Sequence, residues 1–285
     1  MVLTQFAETY HYDEKLRRLA EEQAMKGEPW TFSEEYRSYD ARPFAILRRY
    51  LDYTFKKIYR EDKVVYTASR KFAAFNTGLV SDELEDIYGF FEKHREKDSY
   101  ILKGFFFESD SAIAGNFSRN LPQTADYFFN PSDLLFNPRN KLLVRYNHIL
   151  QDNRDRWIQK LGPMSPSELR QTLYGALEEV KKLVRSNYKI AIPQMRWSDN
   201  PRETDRIQLL LPLKIERNNQ SDLLALVVDR VSSTSELLED GTTNEDFIDV
   251  DDADHVYIGL TCFTLPMAYS NARLIVRPSS DWLHP

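Results

Sequence analysis

The chain has 285 residues, 42% of them hydrophobic and 29% charged, with a net charge of −6. Those values fit a soluble globular protein of one large domain or two packed lobes, and they exclude a uniformly basic nucleic-acid binder, though not a local basic patch. The one cysteine, Cys262, excludes a disulfide framework and a cysteine-based zinc site within the chain, and it favours a reducing, cytoplasmic setting.

The opening stretch, "MVLTQFAETYHYDEKLRRLAEEQ", lacks the basic and apolar regions of a secretion signal. No apolar run approaches the roughly 20 residues of a membrane span, so no membrane partner is expected. Residues 1–38 read as an N-terminal helical arm, with a helix near 13–25. Residues 39–285 read as a single α+β domain, with lobes of 39–160 and 161–285 as the alternative.

In "RPFAILRRYLDYTFKKIYRED", Phe44, Leu47, Leu51, Phe55 and Ile58 follow the spacing of one buried helical face. Arg49, Lys56 and Arg60 align opposite that stripe over about 16 Å, long enough to meet nucleic-acid backbone phosphates. A solvated face is the plainer alternative. "KVVYTASRKFAAFNT" reads as two short strands, and "SDELEDIYGFFEKH" as a helix capped by Ser81, with Glu83, Glu85 and Asp86 near its positive end. Asn76, Thr77 and Gly78 would then lie between a strand and a helix N-terminus. "YILKGFFFES" is a strand pattern, and residues 110–141 are irregular. In the strand pattern "LLVRYNHIL", His148 shares a face with Tyr146 and Val144, while Arg145 and Asn147 share the other.

The later half carries sharper signals. "SPSELRQTLYGALEEVKKLVRSNYK" has a capping box from Ser165 to Glu168, with Pro166 just inside it. Leu169, Leu173, Leu177, Val180 and Val184 form its buried stripe. Asn187 suits the C-terminal cap. Four strand patterns follow: "IAIPQMRW", "RIQLLLPLKIE", "LLALVVDRVS" and "VYIGLTCFTL". Their short connections suit antiparallel neighbours, and Pro193 places the first at an edge or bulge. Residues 235–255 carry nine carboxylates. They read as a solvated loop, since their spacing does not fit a calcium loop. A helix, "PMAYSNARLI", closes the pattern. The fold expected is α+β: a mainly antiparallel sheet with packed helices and a C-terminal helix–four-strand meander–helix unit.

Familiar catalytic and cofactor motifs are missing, and the five histidines form no metal-ligand pair, so no cofactor and no metal are expected. His148 could act as a general acid or base, given a partner. Asn271 falls on the apolar side of the last helix, and a buried amide requires partners. Tyr269 and Arg273 stand four residues apart on that helix. Tyr188, Lys189 and Gln194, at the junction of a helix and a strand, could read a base or a phosphate.

"AAFNTGLVSDELEDIYGFFE", "YNHIL", "NYKIAIPQ", "IQLLLPLKI", "LALVVDR" and "LPMAYSNARLI" occur in an order that resembles the OST-HTH-associated domain family, from about Val64 to Leu283. The resemblance implies an RNA-binding or RNA-processing module. It places the family's motif positions on Asn76, Thr77 and Gly78, on Asn147 and His148, on Asn187, Tyr188 and Gln194, and on Tyr269, Asn271 and Arg273.

The expectation is a cytoplasmic RNA- or nucleotide-binding protein. Asn76 and Thr77, with Gly78 allowing close approach, would meet a phosphate or sugar, Arg273, Arg145 and Lys189 would add charge, and Tyr188 and Tyr269 would stack a base, with Asn147, Gln194 and Asn271 as further ligand-binding residues. Two alternatives stand beside it. One is a metal-independent hydrolase or nuclease, with His148 as acid or base and Arg273 stabilising phosphate charge. The other is a protein-interaction domain.

Overall fold

The structure, a computed structural model, describes residues 1–128, 130–145, 149, 162–197, 205–217, 220–232, 255–279 and 281–285. The chain forms two compact units, Met1–Phe129 and Asn130–His284.

The first unit opens with a short helix α1 (Leu3–Phe6), strand β1 (Ala7–Glu8) and helix α2 (Tyr12–Arg18), which runs on into a π-helical turn at Leu19–Gln23. Leu3, Leu16 and Leu19 are fully buried, so this segment supplies core. Helix α3 (Ala45–Arg60) follows, then strands β2 (Val65–Tyr66), β3 (Phe72–Val80), β4 (Asp86–Lys93) and β5 (Tyr100–Phe107), and helix α4 (Ser111–Phe117). The strands form one mixed sheet in the order β1-β5-β4-β3-β2, with only the β1–β5 pair parallel.

Helix α3 forms as its apolar spacing requires. Leu47, Leu51, Phe55 and Ile58 are all fully buried, and each contributes about 1.5–3 kcal/mol by leaving water. Phe55 meets Phe75 edge-on at 5.1 Å and Phe91 at 5.8 Å, which seats α3 on the sheet.

The helix expected over 81–94 is instead β4. Leu84, Ile87 and Phe91 mimic a helical stripe, and Ser81 mimics an N-cap. Ser81 Oγ does accept two backbone amides, from Glu83 (3.1 Å) and Glu85 (3.2 Å), but it closes a hairpin loop rather than a helix. Residues 87–91 are buried without a break. That pattern suits a central strand covered on both faces: Phe91 meets Phe55 of α3, and Tyr88 and Phe90 pack with Ile113 and Phe117 of α4. The stretch 110–141 is also less irregular than its composition suggests, since it contains α4 and a 3-10 turn at Pro131–Leu134.

Two carboxylates in this unit respond to pH in opposite senses. Burial pushes Asp52 above the usual aspartate range, although Thr4 N and Oγ1 donate to its Oδ1 at 3.2 and 3.4 Å. Its contribution to stability is full below the ordinary aspartate value and is lost as pH rises through the raised folded value. Burial acts upward on Glu61 too, but Lys57 Nζ at 2.7 Å and Lys63 Nζ at 2.8 Å bring its carboxyl below the usual range. That contribution is present above the ordinary glutamate value and is lost as pH falls through the lowered one. Thermal melts at about pH 7 and about pH 3 check both. Asp52→Asn is expected to raise Tm at the higher pH and change it little at the lower. Glu61→Gln is expected to lower Tm at the higher pH and to lose most of that effect in acid.

The second unit contains β6 (Leu142–Val144), helix α5 (Pro166–Ser186), strands β7 (Ile192–Arg196), β8 (Arg206–Arg217), β9 (Gln220–Ser232) and β10 (His255–Phe263), and helix α6 (Leu265–Ala272). The sheet order is β6-β10-β9-β8-β7, with β6 parallel to β10 and the rest antiparallel. The capping box of α5 is made: Ser165 Oγ accepts from Glu168 N at 3.2 Å, and Ser165 N donates to Glu168 Oε2 at 2.8 Å. Pro193 lies on β7, an edge strand of the described sheet. Leu209, Leu211, Leu213 and Ile215 of β8, with Leu224, Leu226 and Val228 of β9, form an apolar cluster with Leu169, Leu173, Leu177, Val180 and Val184 of α5. Every second residue of these strands therefore points to the opposite face.

Among the described residues, no helix is long and apolar enough to cross a membrane.

Candidate functional site

The residues singled out by the sequence separate into two groups. Asn76, Thr77 and Gly78 belong to a bulge in β3, where β3 carries two residues more than β4 between the pairs Asn76–Tyr88 and Val80–Asp86. The chain runs on from them through a hairpin loop into β4, not into a helix. Asn76 and Thr77 are 2% and 0% exposed. Asn76 Nδ2 donates to Asp86 Oδ2 at 3.2 Å, and its Oδ1 accepts from Gly78 N at 2.8 Å. Thr77 Oγ1 donates to Ile87 O at 2.6 Å and accepts from Leu79 N at 3.2 Å. The Tyr50 hydroxyl donates to Thr77 O at 2.8 Å. Gly78 has φ +72°, and a Cβ there would sit 2.9 Å from that hydroxyl. The trio's polar groups are engaged in holding the bulge, which replaces the expected phosphate cradle.

The cationic ridge on α3 is broken as well. Arg60 is exposed, but Lys56 is only 8% exposed. Lys56 Nζ lies 5.7 Å from the Tyr53 ring centre, and the Arg49 guanidinium lies 5.4 Å from the same ring. Tyr53 draws both cations in along the helix surface, so three residues in one line on a wheel do not present three charges to a phosphate chain.

The second unit keeps more of the expected set together. Helix α6 packs against β7 and β9, and its buried residues Leu265, Ala268, Tyr269 and Ala272 lie outside the cluster sealed by α5. It therefore covers the other face of the sheet. That face carries polar side chains where core is expected. Gln194 on β7, Gln208 on β8 and Asp229 on β9 stand side by side in one row, exposed by 2%, 4% and 2%. Gln194 Nε2 donates to Gln208 Oε1 at 3.1 Å, and Gln208 Nε2 donates to Asp229 Oδ2 at 3.4 Å. Arg206 Nη2 pairs with the same carboxylate oxygen at 2.5 Å. Gln194 Oε1 is buried without a hydrogen-bond partner among the described residues, and so is Ser270 Oγ on α6.

Tyr269 and Arg273 are buried on or just beyond α6, and Asn271 is half-buried there. Lys189 is exposed on the 3-10 turn Tyr188–Ile190 that leads into β7, where Asn187 Oδ1 accepts its backbone N–H at 3.0 Å. Arg145 follows β6, at the opposite edge of the sheet from Gln194, and five strands place those edges about 19 Å apart. Asn147, His148 and the side chain of Tyr188 lie outside the described residues. Gln208, Asp229, Arg206 and Ser270 did not stand out from the sequence. Their signal was a polar residue inside an apolar run, as in "IQLLLPL" and "LALVVDR". Among the described residues, no three His, Cys, Asp or Glu side chains gather as metal ligands.

The fold is thus α+β, with two mixed five-stranded sheets and a polar row buried in the second. The chain belongs to the family described as a domain of unknown function, DUF3825, which it matches over residues 21–282. That membership corrects the resemblance to the OST-HTH-associated domain, and the expectation of RNA then rests on this chain's own residues. No curated protein and no solved structure matches it.

Proposed function

We propose that the protein binds RNA or a nucleotide through its second unit, with a base set against the polar row beneath α6. One observation carries the reading: Gln194 Oε1 is a buried carbonyl oxygen with no donor among the described residues, at the end of an ordered amide chain. Leaving such a group unsatisfied costs about 1–3 kcal/mol, and a base edge entering beside the edge strand β7 would recover that cost. Cations flank it on the same stretch of chain, with Lys189 before β7 and Arg196 at its end, while the Arg206 side chain is 37% exposed at the head of the row. They give phosphates a place to lie. The hydrolytic alternative rested on His148, which is outside the described residues. The buried Cys262 suits a reducing, cytoplasmic setting.

Binding of a mixed-sequence single-stranded RNA, followed by fluorescence anisotropy at about 50 and about 200 mM salt, tests the proposal. Three phosphate contacts predict about a 20-fold loss of affinity across that range. Gln194→Ala is expected to weaken binding about tenfold at either salt. Affinity no greater than that of an unrelated acidic protein, or affinity indifferent to salt, would refute the proposal.

A further inference from the structure

The polar row has a fixed direction, and the direction is chemical information. Asp229 is a carboxylate and offers only acceptors, while Arg206 offers only donors and takes one carboxylate oxygen at 2.5 Å. Gln208 must therefore turn its amide nitrogen toward Asp229, as it does at 3.4 Å. Its carbonyl oxygen is then committed to the other side, where it accepts from Gln194 Nε2 at 3.1 Å. Gln194 in turn has its nitrogen engaged and its oxygen left over. One carboxylate thus sets the orientation of two amides, independently of how either amide oxygen and nitrogen are told apart. Ser270 Oγ, the other buried group without a partner, can donate or accept and so imposes no direction of its own.

We infer that the open end of the row, Gln194 Oε1, is a dedicated acceptor that selects bases carrying an exocyclic amino group, adenine or cytosine, over their oxo counterparts, hypoxanthine or uracil. The inference rests on the proposal that this face binds a base. An amino group at the purine 6 or pyrimidine 4 position donates to Oε1. An oxo group at the same position sets one lone pair against another, and the buried setting leaves no water to relieve it.

The direction does not depend on the charge of Asp229. Arg206 Nη2 and Gln208 Nε2 donate to the same oxygen, Oδ2. In Asp229→Asn, the side-chain oxygen takes that position and keeps both donors, so the row holds its direction and the open end stays an acceptor.

The test measures binding of single-stranded homopolymers of A, C, I and U to the full chain and to two variants. Wild type is expected to favour A over I and C over U by about tenfold. Asp229→Asn is expected to keep both ratios, and Gln194→Ala to bring both close to one, with the folding of each variant checked by circular dichroism. If wild type binds all four equally, the inference fails while nucleic-acid binding stands; if it binds none, both fail. A folded Asp229→Asn that inverts the ratios, or a folded Gln194→Ala that keeps them, would also overturn the inference. If Gln194→Ala does not fold, unchanged ratios in Gln194→Leu, which removes the oxygen but fills the space, would overturn it instead.

Discussion

Gly89→Ala is expected to destabilise the protein by about 3 kcal/mol, near the upper end of the usual cost of overpacking. A Cβ at Gly89 would lie 2.0 Å from Cε1 of Phe75, and 2.7 and 2.9 Å from Cδ1 and Cζ of the same ring. The two residues are cross-strand partners on β3 and β4, and the Phe75 ring lies over the bare glycine backbone. The ring has no room to withdraw. It stacks on Phe91 at 5.7 Å and meets Phe55 edge-on at 5.1 Å, and all three rings are fully buried. Strand propensity pulls the other way, because alanine in a strand recovers about 0.5–1 kcal/mol that glycine loses in backbone entropy. The clash is several times larger and decides the sign. Urea unfolding provides the measurement. Phe75→Leu alone should cost about 1–2 kcal/mol through lost contacts, yet the double variant should be more stable than the sum of the two losses by at least about 1 kcal/mol. A Gly89→Ala loss under about 0.5 kcal/mol would show that the ring is free to move.

The same glycine shows where the sequence misleads. Leu84, Ile87 and Phe91 are spaced as on a helix, and a serine precedes them at a capping position. A glycine in the middle of that segment was the contrary signal, because it costs a helix about 1 kcal/mol. Its value to the strand depends on Phe75, fourteen residues earlier, and on a pairing register that no local window contains. The second unit was more legible because its signals are local: a capping box, long apolar strands, short connections and a proline on an edge strand. The candidate site was half legible for the same reason. Gln194, Tyr269 and Arg273 stood out as polar groups at element ends. Gln208 and Asp229 gain their meaning only when β8 and β9 pair in the observed register. The Asn76 bulge erred in the other direction. An amide, a hydroxyl and a glycine in sequence suit a phosphate cradle and an internal turn equally, and the hydrogen bonds from Tyr50 and to Ile87 that decide between them come from other elements.

Asp229→Ala should separate the structural from the recognition role of the polar row. The side chain is 3% exposed and holds Arg206 on one oxygen, with Gln208 Nε2 on the same atom. Removing one member of a fully buried ion pair costs about 3–5 kcal/mol, because the surviving charge is stranded. Here the survivor is partly protected, since the Arg206 side chain is 37% exposed and can turn to water. What remains is the orphaned amide of Gln208, at about 1–3 kcal/mol, and a small cavity. The expected loss is therefore about 2–3 kcal/mol, below the full pair-breaking cost. Asp229→Asn, which can keep both contacts on the one oxygen they share, should lose less than about 1 kcal/mol. Chemical denaturation of both variants measures the difference. A loss for Asp229→Ala near the full pair-breaking cost would mean that Arg206 stays locked beneath α6. Equal losses in the two variants would mean that the charge of Asp229, rather than its hydrogen-bond geometry, sustains the row.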